Sequence, residues 1–140
     1  MPQSRFDTPL QYAHGGRGKL GVEDLLRQDN RAQGLASFMK VLHNNRPHWS
    51  DEKAGFYPLR KRLVEGADSN PDAVFMVDIG GSQGQDFLRL LSHVDATEIP
   101  GRLVVQDQDH VVNAAGTGTL PSKIEKMAHD FFKPQPIQGK

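Results

Sequence analysis

The sequence predicts an α/β protein, about three parallel strands in one sheet preceded by two helices. Three observations carry this. Two short β-type runs, AVFMVDI and RLVVQD, flank a helical run, QDFLRLLSHV, with a turn at IPG between helix and second strand; this is a βαβ unit, for which a right-handed crossover is expected. Upstream, Val22, Leu25, Leu26, Leu35, Phe38, Met39 and Leu42 recur at three- and four-residue steps, the mark of an amphipathic helix running to about His43. Downstream, KIEKMAHDFF follows a loop and fits a third parallel strand around MAHDF, although its first residues could also be helical.

The elements have plausible ends. Residues 1–21, with GGRG at Gly15 to Gly18, lack periodicity and read as an arm. Asn44, Asn45 and Pro47 should stop the first helix. In FYPLRKRLVEG, Pro58 suits the first turn of a second helix, Leu59, Leu63 and Val64 give it a buried stripe, and Gly66 is placed to end it. Residues 22–70 are therefore expected as a helical segment and 71–140 as a partial βαβ domain, together one compact unit. At 140 residues the chain can form one modest core.

Charge and composition exclude several functions. Lysine plus arginine number 17 and aspartate plus glutamate 17, so no net field draws nucleic acid or an anionic membrane, and neither partner is expected. No run approaches the roughly 20 apolar residues of a membrane span, and MPQSRFDTPLQ lacks a signal-peptide core, so a cytoplasmic location is expected. With no cysteine there is neither disulfide nor thiolate chemistry. His43 and His48 lack the spacing of a metal pair on one helix face, so no metal is expected.

The glycines after the first strand carry the chemistry. At a strand-to-helix turn, backbone N–H groups and the helix amino terminus point at whatever lies above the sheet, and side chains there would block close approach. Gly80, Gly81 and Gly84 meet that need, and Asp107 ends the second strand, where an acid can accept hydrogen bonds from ribose hydroxyls. A tight turn and a surface acid in a domain that binds nothing fit the same pattern, with Asp78 capping the turn and Asp86 complementing the helix dipole.

The ordered motifs DIGGSQGQDFLRLL, PGRLVVQD and KMAHDFFKPQP resemble the cofactor-binding half of the fungal class I O-methyltransferases that use S-adenosylmethionine, where VDxGGGxGxD, PGRxxxQD and MAHDFF-PQP recur in this order. TPLQYAHG, MKVLHNNRPHW and FYP resemble the linker helices lining the acceptor pocket of those enzymes. The resemblance implies a truncated Rossmann-like methyltransferase sheet. It implies that Asp78, Gly80, Gly81 and Gly84 contact the methionine end of the cofactor, that Asp107 holds the ribose, and that Met127, Asp130 and Phe131 surround the adenine. Two departures stand out: Ser82 replaces a third glycine, and Gln108-Asp109 replaces leucine-proline, losing the apolar residue that packs on adenine.

In that family the chain continues from PQPIQG into a fourth strand and then a histidine and an acid forming the general base, whereas this sequence stops at Lys140. An autonomous methyltransferase is therefore not expected. The almost uniformly apolar AVFMVDI reads as a strand buried on both faces, and leaving one of its edges open invites association; a homodimer is expected. The leading reading is a cofactor-independent cyclase acting on a small phenolic polyketide in a pocket of Phe38, Met39, Leu42, Trp49, Phe56 and Tyr57. His43, His48 or Asp51 would be its acid or base. A split or assisted methyltransferase that still binds S-adenosylmethionine, and a non-catalytic interaction protein, remain the alternatives. Phe38, Met39 and Leu42 also fit a core or dimer contact, and each histidine an ordinary solvated side chain.

Overall fold

The computed structural model describes residues 8–13, 21, 24, 26, 31–54, 57–113 and 119–138. The chain divides into two compact units, residues 1–46 and 47–140. Among the described residues the first unit includes the helices α1 (Pro9–Ala13) and α2 (Ala32–Asn44), and Asp24 and Leu26 are also helical. Helix α2 ends where the asparagines predict: the backbone N–H and the side-chain amide of Asn45 both donate to the Val41 carbonyl, at 3.1 and 3.0 Å. The expected start at Val22 falls among residues of which only 24 and 26 are described.

The second unit is a three-stranded parallel sheet in the order β1-β2-β3, with β1 at Val74–Ile79, β2 at Arg102–Asp107 and β3 at Ile124–Ala128. The central strand is buried along Leu103, Val104, Val105 and Gln106, as its apolar, β-branched run requires of a strand covered on both faces. The third strand lies earlier than MAHDF, because Ile124 is the residue that enters the core, and residues 129–138 turn away as loop. Pairing of β1 slips between Val74 and Met76, opposite Arg102 and Leu103. The glycine of the IPG turn explains how β2 starts so close: a Cβ at Gly101 would strike the Ala73 carbonyl, the same carbonyl that accepts the Arg102 N–H at 2.8 Å.

Helix α3 (Gln85–His93) packs Phe87 and Leu90 onto the sheet, continued by Leu91 and Val94 at the i, i+3, i+4, i+7 positions of one face. A 3₁₀ turn at Ala96–Glu98 follows, fixed by a capping box in which Asp95 Oδ1 accepts the Thr97 N–H at 2.8 Å and Glu98 reaches back to the Asp95 N–H. A short helix α4 (Asp109–Val112), not foreseen from the sequence, connects β2 toward β3.

Residues 47–70, grouped in the sequence with the upstream helices, pack instead with the sheet unit. Leu59 is fully buried in the core of Phe87, Leu90, Ile99 and Leu103, with Trp49, Tyr57 and Leu63 against it. The predicted second helix is one π-type turn, Arg60–Val64, ended by Gly66 at φ +81°. Arg60 holds Glu98 through two bonds of 2.8 and 3.0 Å and Glu52 at 2.5 Å, and its hydrogen bond is the leading reason the Glu98 carboxyl lies below its ordinary range.

Two outcomes follow. Leu90→Ala empties a fully buried site and costs about 2–5 kcal/mol in urea unfolding. Because the Glu98 pKa is lowered on folding, its stabilising effect is present above the ordinary glutamate range and lost as pH falls through the folded value. The urea midpoint of Glu98→Gln should therefore fall less steeply on acidification than that of the parent.

Candidate functional site

The carboxyl ends of the three parallel strands meet at one edge of the sheet, and the glycine turn is anchored there. After Ile79 the chain enters Gly80 at φ +76°, where the Gly80 N–H donates to the Gln106 carbonyl at 2.7 Å and the Gly81 N–H shares that oxygen at 3.2 Å. A Cβ at Gly80 would meet nothing within 4 Å, so open space lies over the turn. At Gly81 a Cβ would collide with the Asp78 carboxylate, which folds over the turn. Gly84, at φ +77°, begins α3, and a Cβ there would press on Val105 at 3.2 Å.

Ser82 occupies left-handed backbone, φ 51°, the only non-glycine residue to do so among those described. Its N–H donates to Asp107 Oδ2 at 2.9 Å. Asp107 Oδ1 accepts the Gln108 N–H at 2.8 Å, and the Asp107 carbonyl accepts the His129 N–H at 2.9 Å. The carboxylate at the end of β2 is thus held toward the glycine turn by one backbone N–H on each oxygen, with lone pairs left for further donors.

Beneath the turn, sequence reasoning missed a polar pair. Gln106 is 1% exposed, and its amide exchanges two hydrogen bonds with Gln135, at 2.9 and 2.8 Å, with Met127 Sδ at 3.2 Å from the same nitrogen. The signal was a glutamine inside the apolar run LVVQ, since a buried amide must find partners. The pair ties the PQP segment to the strand whose carbonyl holds Gly80. On the β3 side, Asp130 Oδ1 accepts the Phe132 N–H at 3.1 Å, and the rings of Phe131 and Phe132 lie 4.6 Å apart on the surface. The structure therefore brings Asp78, Gly80, Gly81, Gly84, Asp107 and Met127 to the strand ends, with Asp130 and Phe131 in the loop that leaves β3.

The residues expected to do acid–base work are placed differently. His48 is buried, its Nδ1 2.6 Å from Ser50 Oγ and accepting the Ser50 N–H at 3.3 Å. A nitrogen that accepts carries no proton, so in the neutral ring the proton sits on Nε2, which faces Asp86 Oδ1 at 3.7 Å. The ring stacks with His93 and lies beside Trp49. The two hydrogen bonds between His48 and Ser50 order residues 48–50 beside the first turn of α3, and buried Ser50 is no accessible nucleophile. Asp51 Oδ1 caps the turn at Glu52–Ala54 by accepting the Lys53 N–H at 3.0 Å. Tyr57 meets Trp49 edge to face, 6.2 Å between centroids.

In the first unit, Phe38, Met39 and Leu42 stand exposed on α2, Phe38 at 57%. His43 belongs to α2 but its side chain lies outside the described residues, as does Phe56. Among the described residues no cluster of histidine, cysteine or carboxylates has metal-binding geometry, and no helix is long and apolar enough to cross a membrane.

Parallel strands with a glycine turn and a strand-end acid define a Rossmann-like half-sheet, and comparison with known proteins narrows the class. No family model matches the chain. It is 35% identical over 136 residues to the O-methyltransferase mpaG of Penicillium brevicompactum, covering 95% of this chain and 32% of that protein. Among solved structures it is similar to a pericyclic reaction enzyme, at 32% identity and a TM-score of 0.68, and to a LepI variant in complex with SAH and a substrate analogue, at 31% and 0.69. Each likeness covers 97% of this chain and 32% of the other. Homologues of this chain are fungal O-methyltransferases, and its three parallel strands form a Rossmann-like sheet like that of the solved structures it resembles. The chain spans about a third of the length of these relatives.

Replacing Asp107 with alanine removes the acceptor of the exposed Ser82 and Gln108 amides, which water can then reach, and should cost about 0.5–1.5 kcal/mol in urea unfolding. Ser82→Gly removes left-handed strain and should raise stability by up to about 1 kcal/mol, less what added chain entropy in the unfolded state takes back.

Proposed function

We propose that this chain binds S-adenosylmethionine or S-adenosylhomocysteine at the strand ends, as part of an O-methyltransferase-like enzyme of fungal secondary metabolism acting on a small phenolic or aromatic compound. The observation that carries this reading is the bond from the Ser82 N–H to Asp107, which sets a ribose-binding carboxylate beside a glycine turn with open space above it. The residues present fit the cofactor: Gly80 permits close approach, and Asp107 keeps acceptor capacity for ribose hydroxyls. Phe131 supplies an exposed aromatic face at the third strand end. When bound, the cofactor supplies a transferable methyl group on a sulfonium centre. The chain's own residues bind and orient it; the carboxylate of Asp107 fixes the ribose, and Asp78, folded over Gly81, holds the shape of the turn.

A second reading is ring closure on the same scaffold by acid–base catalysis, with no cofactor consumed. The likeness to a pericyclic reaction enzyme favours it. His43, His48 and Asp51 were expected to move its protons. His48 and Asp51 are already occupied in holding residues 48–54, so the cofactor-binding reading has the firmer support.

Calorimetric titration with S-adenosylhomocysteine should give micromolar affinity. Gly80→Val, which fills the space over the turn, should weaken it by about tenfold or more, equal to about 1.4 kcal/mol. Turnover of a phenolic polyketide by a chain that binds neither compound would favour the second reading.

A further inference from the structure

The loop that leaves β3 is not held by burial. Residues 130–134 are all exposed, Phe132 at 84%, and the Asp130 carbonyl closes one turn of them by accepting the Lys133 N–H at 2.8 Å. The place of Asp130 and Phe131 is set instead by an anchor at each end of the loop. At its start the His129 N–H donates to the Asp107 carbonyl at 2.9 Å. At its far end Gln135, partly buried between exposed Pro134 and Pro136, exchanges two amide bonds with buried Gln106, and its Oε1 also accepts the Ile137 N–H at 3.1 Å. The proline rings fix φ at 134 and 136, and the residue before each is steered away from helical backbone. The segment around Gln135 is therefore stiff, and a constraint on its side chain passes along the chain. Gln106 Nε2 also lies 3.2 Å from Met127 Sδ, so one buried amide acts on both β3 and the loop beyond it. Both anchors sit on the last two residues of β2, which already hold the glycine turn and supply the Asp107 carboxylate.

We infer that Gln135 is a positioning residue for the nucleoside base: through Gln106 it sets Asp130 and Phe131 in a fixed place beside the Asp107 carboxylate, so that base and ribose are gripped in one register. An apolar pair of the same volume would close the loop as stably, since exchanging both partners of a buried hydrogen bond for apolar groups is nearly neutral. What the amide pair adds is direction, because its two bonds are satisfied together in one alignment only. The inference rests on the cofactor-binding reading and goes beyond it in assigning a role to a side chain that lies outside the cradle itself.

The parent chain, Gln135→Leu and the double variant Gln106→Leu/Gln135→Leu are titrated with S-adenosylhomocysteine by calorimetry, and amide NMR spectra are recorded at saturation. Gln135→Leu leaves the buried Gln106 amide without its reciprocal partner and lowers the thermal midpoint; the double variant replaces both partners by apolar groups and recovers it. Affinity is expected to fall about tenfold or more in both variants, because the base end is no longer preorganised. Ligand-induced shifts are expected to persist at Gly80 through Ser82 and at Asp107, while those of residues 130–132 are lost. An affinity that returns with the stability in the double variant makes the pair structural only and overturns the inference, as do shifts at 130–132 kept at full size in both variants. A parent chain that does not bind S-adenosylhomocysteine overturns the cofactor-binding reading and the inference with it, whereas a parent that binds, with affinity unchanged in both variants, overturns the inference alone.

Discussion

The end of β2 is the constraint on which the rest of the second unit's site depends. One carbonyl, that of Gln106, accepts both the Gly80 and Gly81 N–H groups, and the next residue's carboxylate accepts that of Ser82. Three consecutive amides of the turn are thereby fixed to two consecutive residues of a buried strand. A glycine-rich turn left to itself has more backbone freedom than any other kind, and ordering it costs entropy. Here hydrogen bonds to a strand that the core already holds rigid offset that cost. The Gln106 side chain extends the same control downward to Gln135, so the segment leaving β3 is tied to the strand that shapes the turn.

The same residue types serve support and chemistry, and geometry separates them. His48, Ser50 and Asp86 compose a set that on residue identity alone reads as catalytic. His48 and Ser50 are buried and bond to each other within residues 48–50, while Asp86 is 40% exposed and lies 3.7 Å from the ring, so the set is placed for local support. Asp107, equally well hydrogen-bonded, retains lone pairs at a strand end beside open space, so binding remains open to it. The Arg60–Glu98 pair joins the turn at Arg60–Val64 to the 3₁₀ turn after α3 at the surface, where solvent screens it; its role is to fix orientation more than to add stability.

Much of the sheet unit was legible in the sequence because its signals are local. The apolar runs at 74–79 and 102–107 and the helical spacing of Phe87, Leu90 and Leu91 each fix an element without reference to the others. The glycine turn was legible because a requirement for φ > 0 and close approach leaves few residue choices. What depended on partners distant in sequence was not legible. The pairing of Gln106 with Gln135 joins residues far apart in the chain, and the apolar side chains of 47–70 could pack on either neighbour; Leu59 and Trp49 went to the sheet. The third strand was placed late because Glu125 and Lys126 broke the apolar pattern, a break that belongs to an edge strand. The fate of Ser82 needed the structure, since only φ 51° shows that the serine stands where a glycine would rest more easily.

The central claim is that the ends of β1 and β2 form a preorganised cradle for a nucleoside cofactor. It is tested most directly by recording backbone amide NMR spectra of the chain while S-adenosylhomocysteine is added. The account predicts saturable shifts confined to Gly80 through Gln85, Asp107, Gln108 and residues 129–132, with the core strands unmoved. Shifts that do not saturate, or that fall only outside these segments, would contradict it.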